Sequence, residues 1–263
     1  ADDASSMTVS GTNISEWRNK STEFAGYFDL KQSNASNQPT YVTGVVNNKP
    51  VVRCDGTSSF MYSSGSNTYR TPAASNDELT IFYVFKYFPT LPTSGYAQDI
   101  LYWGMDSNYE IQLSPSFIHA APASDRNNQG GADRGVYFFA GGSNARLNKG
   151  YTTTPLVYSA RNQSSSSPIR ITGSGEHTYD TLSTLPFDDF YSPSNRFYQR
   201  FGVAADNLTL TGRYLNGDVA EIICYARNLS DDEMAKVETY LDNKWNITVA
   251  TQSYNTSNIT SSV

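Results

Sequence analysis

The chain has 263 residues, of which 38% are hydrophobic, 13% aromatic and 17% charged, with a net charge of −6 at pH 7. This composition supplies enough apolar surface for one large β-domain or two small domains, which excludes an intrinsically disordered chain. The 25 acidic residues outnumber the 19 basic ones, and no basic run occurs, so nucleic acid is not an expected partner. The longest apolar run, within 79–88, is shorter than the roughly 20 residues that span a bilayer, so we expect no membrane insertion.

Most of the chain alternates between apolar and polar residues with a period of two, which predicts β-strands. Pairs such as Asp55-Gly56, Gly141-Gly142 and Asn216-Gly217 are typical of turns and separate the alternating segments. Many short strands punctuated in this way predict an all-β sandwich. In chain order, the clearest predicted strands are 79–86, 109–113, 136–140, 156–161, 169–171 and 220–225.

One segment near the C-terminus departs from this period and predicts a short helix over 231–245. Ser230 and Glu233 form a capping-box pattern at its start, and three acidic residues occupy its first turn. An apolar stripe at helical spacing is expected to face the core, and it comprises Met234, Val237, Leu241 and Trp245. We therefore predict one domain over 1–247, followed by a polar tail over 248–263.

Two segments of the sequence resemble the concanavalin A-like, laminin-G-like family. The strand-to-helix segment from Gly217 to Ser230, with the helix ending at Trp245, is similar to the family's closing strand and helix. Trp17 and the segment from Asn47 to Ser64, with Asp55-Gly56, are similar to its opening strands, although Cys54 stands where an aromatic residue is usual. The resemblance implies a two-sheet antiparallel jelly-roll sandwich with one short C-terminal helix and adjacent terminal strands.

The two cysteines, Cys54 and Cys224, allow two interpretations. Adjacent terminal strands, which the resemblance implies, would make them neighbours, and a disulfide would then require their Cα atoms to lie within about 7 Å. Alternatively, both are small buried hydrophobic residues with free thiols. The sequence leaves both interpretations open.

A catalytic arrangement is not evident in the sequence. Glycoside hydrolysis of the retaining type needs two carboxylates about 5–5.5 Å apart. The best candidates, Asp218 and Glu221, are three residues apart, and a regular strand would place them on opposite faces. His119 and His177 are the only histidines, and we expect both to be ordinary surface residues because no nucleophile-elbow motif accompanies them. These observations predict a protein that is not an enzyme.

Sugar binding requires exposed aromatic side chains for stacking and polar groups for hydroxyls. The candidate glycan-binding residues are Tyr102, Trp103, Tyr191, Arg196 and Tyr198. We expect no metal site and no cofactor. Calcium remains an alternative because Asp and Asn cluster near 106–108, 125–128 and 188–189, although such clusters are also typical of turns.

Together these patterns predict a non-catalytic, lectin-like recognition or adhesion domain that binds a glycan or a cell surface. A first alternative is a structural subunit of a virus or phage particle, such as a decoration or fibre protein, that contacts neighbouring subunits. A second alternative is a polysaccharide-active enzyme. We expect the protein to be extracellular or on the surface of a virion or other particle.

Overall fold

The fold was obtained as a computed structural model, which describes residues 1–22, 29–63, 79–88, 98–105, 119–121, 135–140, 143–147, 154–162, 169–173, 176–180, 197–202, 214–225 and 227–247. The strands within these ranges are β1 (Met7–Ser10), β2 (Asn13–Trp17), β3 (Leu30–Lys31), β4 (Thr40–Val46), β5 (Lys49–Asp55), β6 (Met61–Tyr62), β7 (Leu79–Tyr87), β8 (Gln98–Asp99), β9 (Leu101–Met105), β10 (His119–Ala121), β11 (Gly135–Ala140), β12 (Ser143–Leu147), β13 (Leu156–Asn162), β14 (Ile169–Gly173), β15 (Glu176–Asp180), β16 (Phe197–Phe201) and β17 (Asn216–Tyr225). The helix α1 spans Asp231–Trp245.

The described strands form one sheet of thirteen strands and a second of four, and every pairing in them is antiparallel. The prediction of a mostly β, antiparallel fold with one C-terminal helix is thus confirmed. The large sheet runs in the order β15-β14-β13-β7-β17-β5-β4-β2-β3-β6-β16-β9, with β1 paired to β2, and the small sheet runs β12-β11-β10-β8.

The large sheet curls, so that strands far apart in its ladder meet again. β5 and β16 are separated by four intervening strands, yet a Cβ added at Gly202, directly after β16, would lie 2.9 Å from the Cys54 Sγ of β5. The N–H of Leu215, just before β17, donates to the carbonyl of Gly202 at 2.8 Å, and the N–H of Gly202 donates to Ile100 at 3.0 Å. Because Gly202 has φ +78° and no side chain, it permits this close approach.

β7 is buried on both faces and forms the centre of the core. Ile81, Tyr83 and Phe85 point to one side, and the ring of Phe85 stacks on Tyr158 of β13 with centroids 5.1 Å apart. Phe82 and Val84 point to the other side, where the helix covers them. The alternation predicted for 79–86 is therefore confirmed, and its two apolar faces contact two different layers.

The helix forms where the sequence predicts it and packs on β7 and β17 through its apolar stripe. The Ser230 side chain accepts from the Glu233 N–H, and the Glu233 carboxylate accepts from the Ser230 N–H, which completes the capping box. Met234, Leu241 and Trp245 are fully buried against the sheet. Within the described part of the chain, no helix combines the length and apolar character needed to cross a membrane.

Candidate functional site

The structure keeps the two cysteines apart as free thiols. Cys54 lies opposite Gly217 on β17, whereas Cys224 lies opposite Ile81 of β7. Positions 217 and 224 are seven residues apart on one strand, which corresponds to about 23 Å and is too far for a disulfide. Cys54 is fully buried, and burial raises the pKa of its thiol well above the ordinary value. Cys224 is exposed. The disulfide interpretation is therefore wrong, and the interpretation of buried free thiols holds for Cys54 but not for Cys224.

Asp218 and Glu221 lie on the same face of β17, not on opposite faces as their spacing predicts. The ladder shifts between Val219 and Glu221, and this bulge places Asp218 opposite Lys86 and Glu221 opposite Val84. Lys86 and Val84 are two positions apart on β7 and therefore share a face. The prediction from spacing is wrong because one extra residue in the strand reverses the alternation.

Both carboxylates are nevertheless engaged by protein groups. Arg53 donates from Nε and Nη2 to the two oxygens of Asp218 at 2.7 and 3.0 Å, and the Asp218 side chain is fully buried. Glu221 accepts from Lys244 Nζ at 2.9 Å, from the Tyr240 hydroxyl at 3.2 Å and from the Trp245 indole N–H at 2.5 Å. These contacts fasten the strand to β5 and to the helix, which is a structural role.

A second group of residues, all polar or aromatic, follows one register line across six strands, β1-β2-β3-β6-β16-β9. Five interstrand spacings of about 4.8 Å make this line roughly 24 Å long. We call it the charged–aromatic row; successive strands contribute Thr8, Glu16, Lys31, Tyr62, Arg200 and Tyr102.

The opposite face of the same strands is apolar and faces the interior. Its buried residues include Met7, Leu30, Met61, Leu101 and Phe201, and Trp17 packs edge-on against Phe201 with centroids 5.4 Å apart. Because successive side chains of a strand point to opposite faces, the burial of these residues indicates that the face carrying the row is the outer one. A bulge between Thr8 and Val9 in the β1–β2 ladder places Glu16 on the outer face although Ile14 is buried.

Glu16 is the carboxylate of the row, and it lies among cations. Arg18 Nη2 is 2.8 Å and Lys31 Nζ 3.1 Å from its oxygens, and the Thr8 hydroxyl donates to it at 3.0 Å. Partial burial opposes ionisation, but the hydrogen bonds from Lys31 and Thr8 and the charge of Arg18 outweigh it and lower the pKa of Glu16. Glu16 is therefore ionised at neutral pH and is not a proton donor.

Three of the five predicted glycan-binding residues lie on neighbouring strands at this end of the sheet. Tyr102 lies opposite Arg200, Trp103 opposite Gln199, and Tyr198 opposite Gly104. Tyr102 and Tyr198 thus fall at register positions of the same face, whereas Trp103 falls on the other. Tyr191 and Arg196 lie outside the described residues.

Sequence reasoning missed Tyr62 and the rings beside it. Tyr62 is half-buried and stacks on Phe60 with centroids 6.2 Å apart, and Phe60 in turn lies 6.4 Å from Tyr214. The two-residue strand β6 is too short to show a period, so only the ladder reveals that Tyr62 joins the row.

The structure places both histidines within strands, one in each sheet. His119 lies within β10, opposite Asp99 of β8 on one side and Tyr137 of β11 on the other. His177 lies in β15 opposite Thr172. His119 therefore occupies a central strand of the small sheet, in one register line with an acidic and a phenolic residue.

Metal ligands do not cluster in the described ranges, where no group of three or more His, Cys, Asp or Glu side chains comes together. The Asp and Asn clusters near 106–108, 125–128 and 188–189, considered for calcium, lie outside those ranges, as does the predicted tail over 248–263.

No family model and no curated protein matches the chain, but solved structures share its fold. An arabinofuranosidase complexed with arabinofuranosyl-α-1,2-xylobiose has a TM-score of 0.57 at 12% identity, covering 86% of this chain and 50% of that one. A GH54 α-L-arabinofuranosidase soaked with a cyclic sulfate inhibitor has a TM-score of 0.56 at 12% identity, with the same coverage of both chains. The Trypanosoma rangeli sialidase in complex with sialic acid has a TM-score of 0.52 at 12% identity, covering 91% of this chain and 32% of that one. The chain spans half the length of these proteins or less.

These likenesses correct the expected function. The expectation of a non-catalytic recognition domain, and with it the expectation that the protein is not an enzyme, is contradicted by the three similar structures named above, which are two arabinofuranosidases and a sialidase. The expectation rests on the spacing of acidic residues along one strand and on the lack of a nucleophile-elbow motif in the sequence. Catalytic groups assemble across strands, and such spacing does not report on that assembly.

Proposed function

We propose that this chain is a domain of a polysaccharide-active enzyme and that its charged–aromatic row holds the glycan. The row itself carries the proposal, since it offers Tyr62 and Tyr102 at alternate strands with Arg200 between them. Tyrosine rings stack on the apolar faces of sugars, and charged side chains bind hydroxyls. The fold that the chain shares with glycosidases supports the same assignment.

The finer architecture is part of this proposal. A two-layer jelly-roll of the concanavalin A-like kind, formed by residues 1–247, agrees with the curled sheet and with the helix that closes its last strand. An enzyme that acts on polysaccharides also suits an extracellular location, where such substrates are found.

The chemical step needs a group that can give and take a proton, and the carboxylates described above do not suit it. Glu16, Asp218 and Glu221 each accept hydrogen bonds from a cationic side chain. Histidine is the residue type whose unperturbed pKa lies closest to neutrality, and the register line through His119 contains Asp99 and Tyr137. We therefore assign the acid–base role to the line through His119.

Replacing Tyr62 with Ala is expected to weaken polysaccharide binding roughly tenfold, since an aromatic contact contributes about 0.5–1.5 kcal/mol beyond its buried area. Binding would be measured by affinity electrophoresis in gels containing arabinan, arabinoxylan or a sialylated glycan. Tyr240→Ala is the control, because Tyr240 is 47% exposed but lies on the helix. Equal loss in both variants, or no binding by the unmodified chain, would contradict the assignment.

Replacing His119 with Gln is expected to lower the release of reducing ends from the bound polysaccharide at least tenfold while leaving its affinity unchanged. His177→Gln is the matched control, since it removes the other histidine from β15. Release would be followed by a reducing-sugar assay on purified protein. Undiminished release of reducing ends by His119→Gln would show that His119 does not act as the acid or base. No release by the unmodified chain would contradict the enzymatic proposal.

A further inference from the structure

At the Glu16 end of the charged–aromatic row, the cation Lys31 of the row and the neighbouring Arg18 are more exposed to a ligand than the Glu16 carboxylate is. The side chains of Arg18 and Lys31 are 41% and 48% exposed, whereas Glu16, which they flank, is 21% exposed. Glu16 thus lies beneath the two cations and orients them. A molecule approaching this part of the row meets ammonium and guanidinium groups first.

The other charges near this end of the row are already compensated. Lys20 is paired with Asp3, which also accepts from Ser5. The Asp29 carboxylate accepts from the backbone N–H of Asn19 at 2.8 Å and is partly buried. Among the described residues, Arg18 and Lys31 share the single carboxylate of Glu16, and neither is paired with Asp3 or Asp29. Two cations against one carboxylate leave a net positive charge at this end of the row.

A further cation continues the row toward its aromatic end. Arg200 lies in register between Tyr62 and Tyr102. The row therefore alternates cation and aromatic residue from Lys31 to Tyr102. The two cations of this segment, Lys31 and Arg200, contrast with the chain as a whole, which carries a net charge of −6.

We infer that the glycan held by this row carries carboxylate groups, as uronic or sialic acids do, and is not a neutral polysaccharide. Guanidinium groups bind carboxylates through paired hydrogen bonds, and an ammonium group adds a charge-assisted bond. In a chain of negative net charge, an acidic polymer would be repelled unless a local cationic surface received it. The inference rests on the proposed function and specifies its substrate class.

The test compares two polymers with the same sugar backbone, polygalacturonate and its fully methyl-esterified form, in which the carboxylates are replaced by uncharged methyl esters. Affinity of the full chain for each would be measured by titration calorimetry at low and at high NaCl. We expect the acidic form to bind at least tenfold more tightly at low salt and to lose that advantage as salt screens the charges. Lys31→Gln should lower the ratio of the two affinities at low salt several-fold. Lys236→Gln is the charge-matched control, because Lys236 is an exposed lysine of the helix.

The outcomes separate this inference from the proposed function. Equal binding of both polymers would overturn the acidic substrate class and leave the glycan-binding proposal standing. Binding of neither polymer, together with failure on the arabinan, arabinoxylan and sialylated panel, would overturn both. Equal losses in Lys31→Gln and Lys236→Gln would show that overall charge governs binding, which would overturn the assignment to this row.

Discussion

Replacing Trp245 with Ala is expected to lower the free energy of unfolding by about 3–5 kcal/mol, the usual cost of truncating a buried Trp. Trp245 is 1% exposed and belongs to the cluster that joins the helix to β7 and β17. Its removal leaves a cavity at the end of the helix and deprives Glu221 of the indole N–H that donates to it at 2.5 Å. Urea unfolding followed by circular dichroism would measure the loss.

Two further variants divide this effect into packing and hydrogen bonding. Trp245→Phe keeps most of the buried ring and removes the N–H, so we expect a loss of about 1–2 kcal/mol. Lys244 and Tyr240 still donate to Glu221 in that variant, which limits the cost. Tyr240→Ala, on the exposed side of the helix, should change stability by less than about 0.5 kcal/mol. A loss below about 1 kcal/mol in Trp245→Ala would mean that the helix does not cover the sheet.

Replacing Arg53 with Met is expected to lower the free energy of unfolding by about 3 kcal/mol, because it leaves a buried carboxylate without its cation. The Asp218 side chain is fully buried, and both of its oxygens accept from Arg53. The guanidinium also lies 4.8 Å from the ring centroid of Phe88, so its loss removes a stacking contact. Denaturant midpoints at pH 7 would report the change.

Two control variants test whether burial is the cause. Arg227 makes a similar bidentate pair with Glu233, but both side chains are exposed, so Arg227→Met should cost no more than about 0.5 kcal/mol. The double variant Arg53→Met with Asp218→Asn removes the buried charge and should recover most of the stability. Equal costs for Arg53→Met and Arg227→Met would show that the burial of Asp218 has no energetic consequence.

The helix and the core strands could be predicted from the sequence because their signals are local. Ser230 and Glu233 are three residues apart, and the apolar stripe of the helix repeats within fifteen residues. The period of β7 likewise lies within nine residues. The burial of Glu238 could not be predicted in this way. Its carboxylate accepts a hydrogen bond at 2.9 Å from the hydroxyl of Ser159, which is 79 residues away in the chain.

The candidate site could be predicted only in part for the same reason. Tyr102 and Tyr198 are candidates from the sequence because they lie beside other aromatic residues, but nothing near them in the sequence indicates that β9 pairs with β16. Tyr62 and Glu16 were not selected, because β6 has only two residues and a bulge interrupts the alternation of β2. One inserted residue also reversed the predicted relation between Asp218 and Glu221.

The sequence by itself determined the elements of this protein, namely short strands, their turns and one capped helix, because propensity and periodicity act over a few residues. The tertiary structure decided which strands are neighbours and on which face each side chain lies. Strand pairing depends on partners far away in the chain, and a single bulge moves every later residue to the other face. The charged–aromatic row, drawn from six strands between Thr8 and Arg200, therefore exists only in the folded chain.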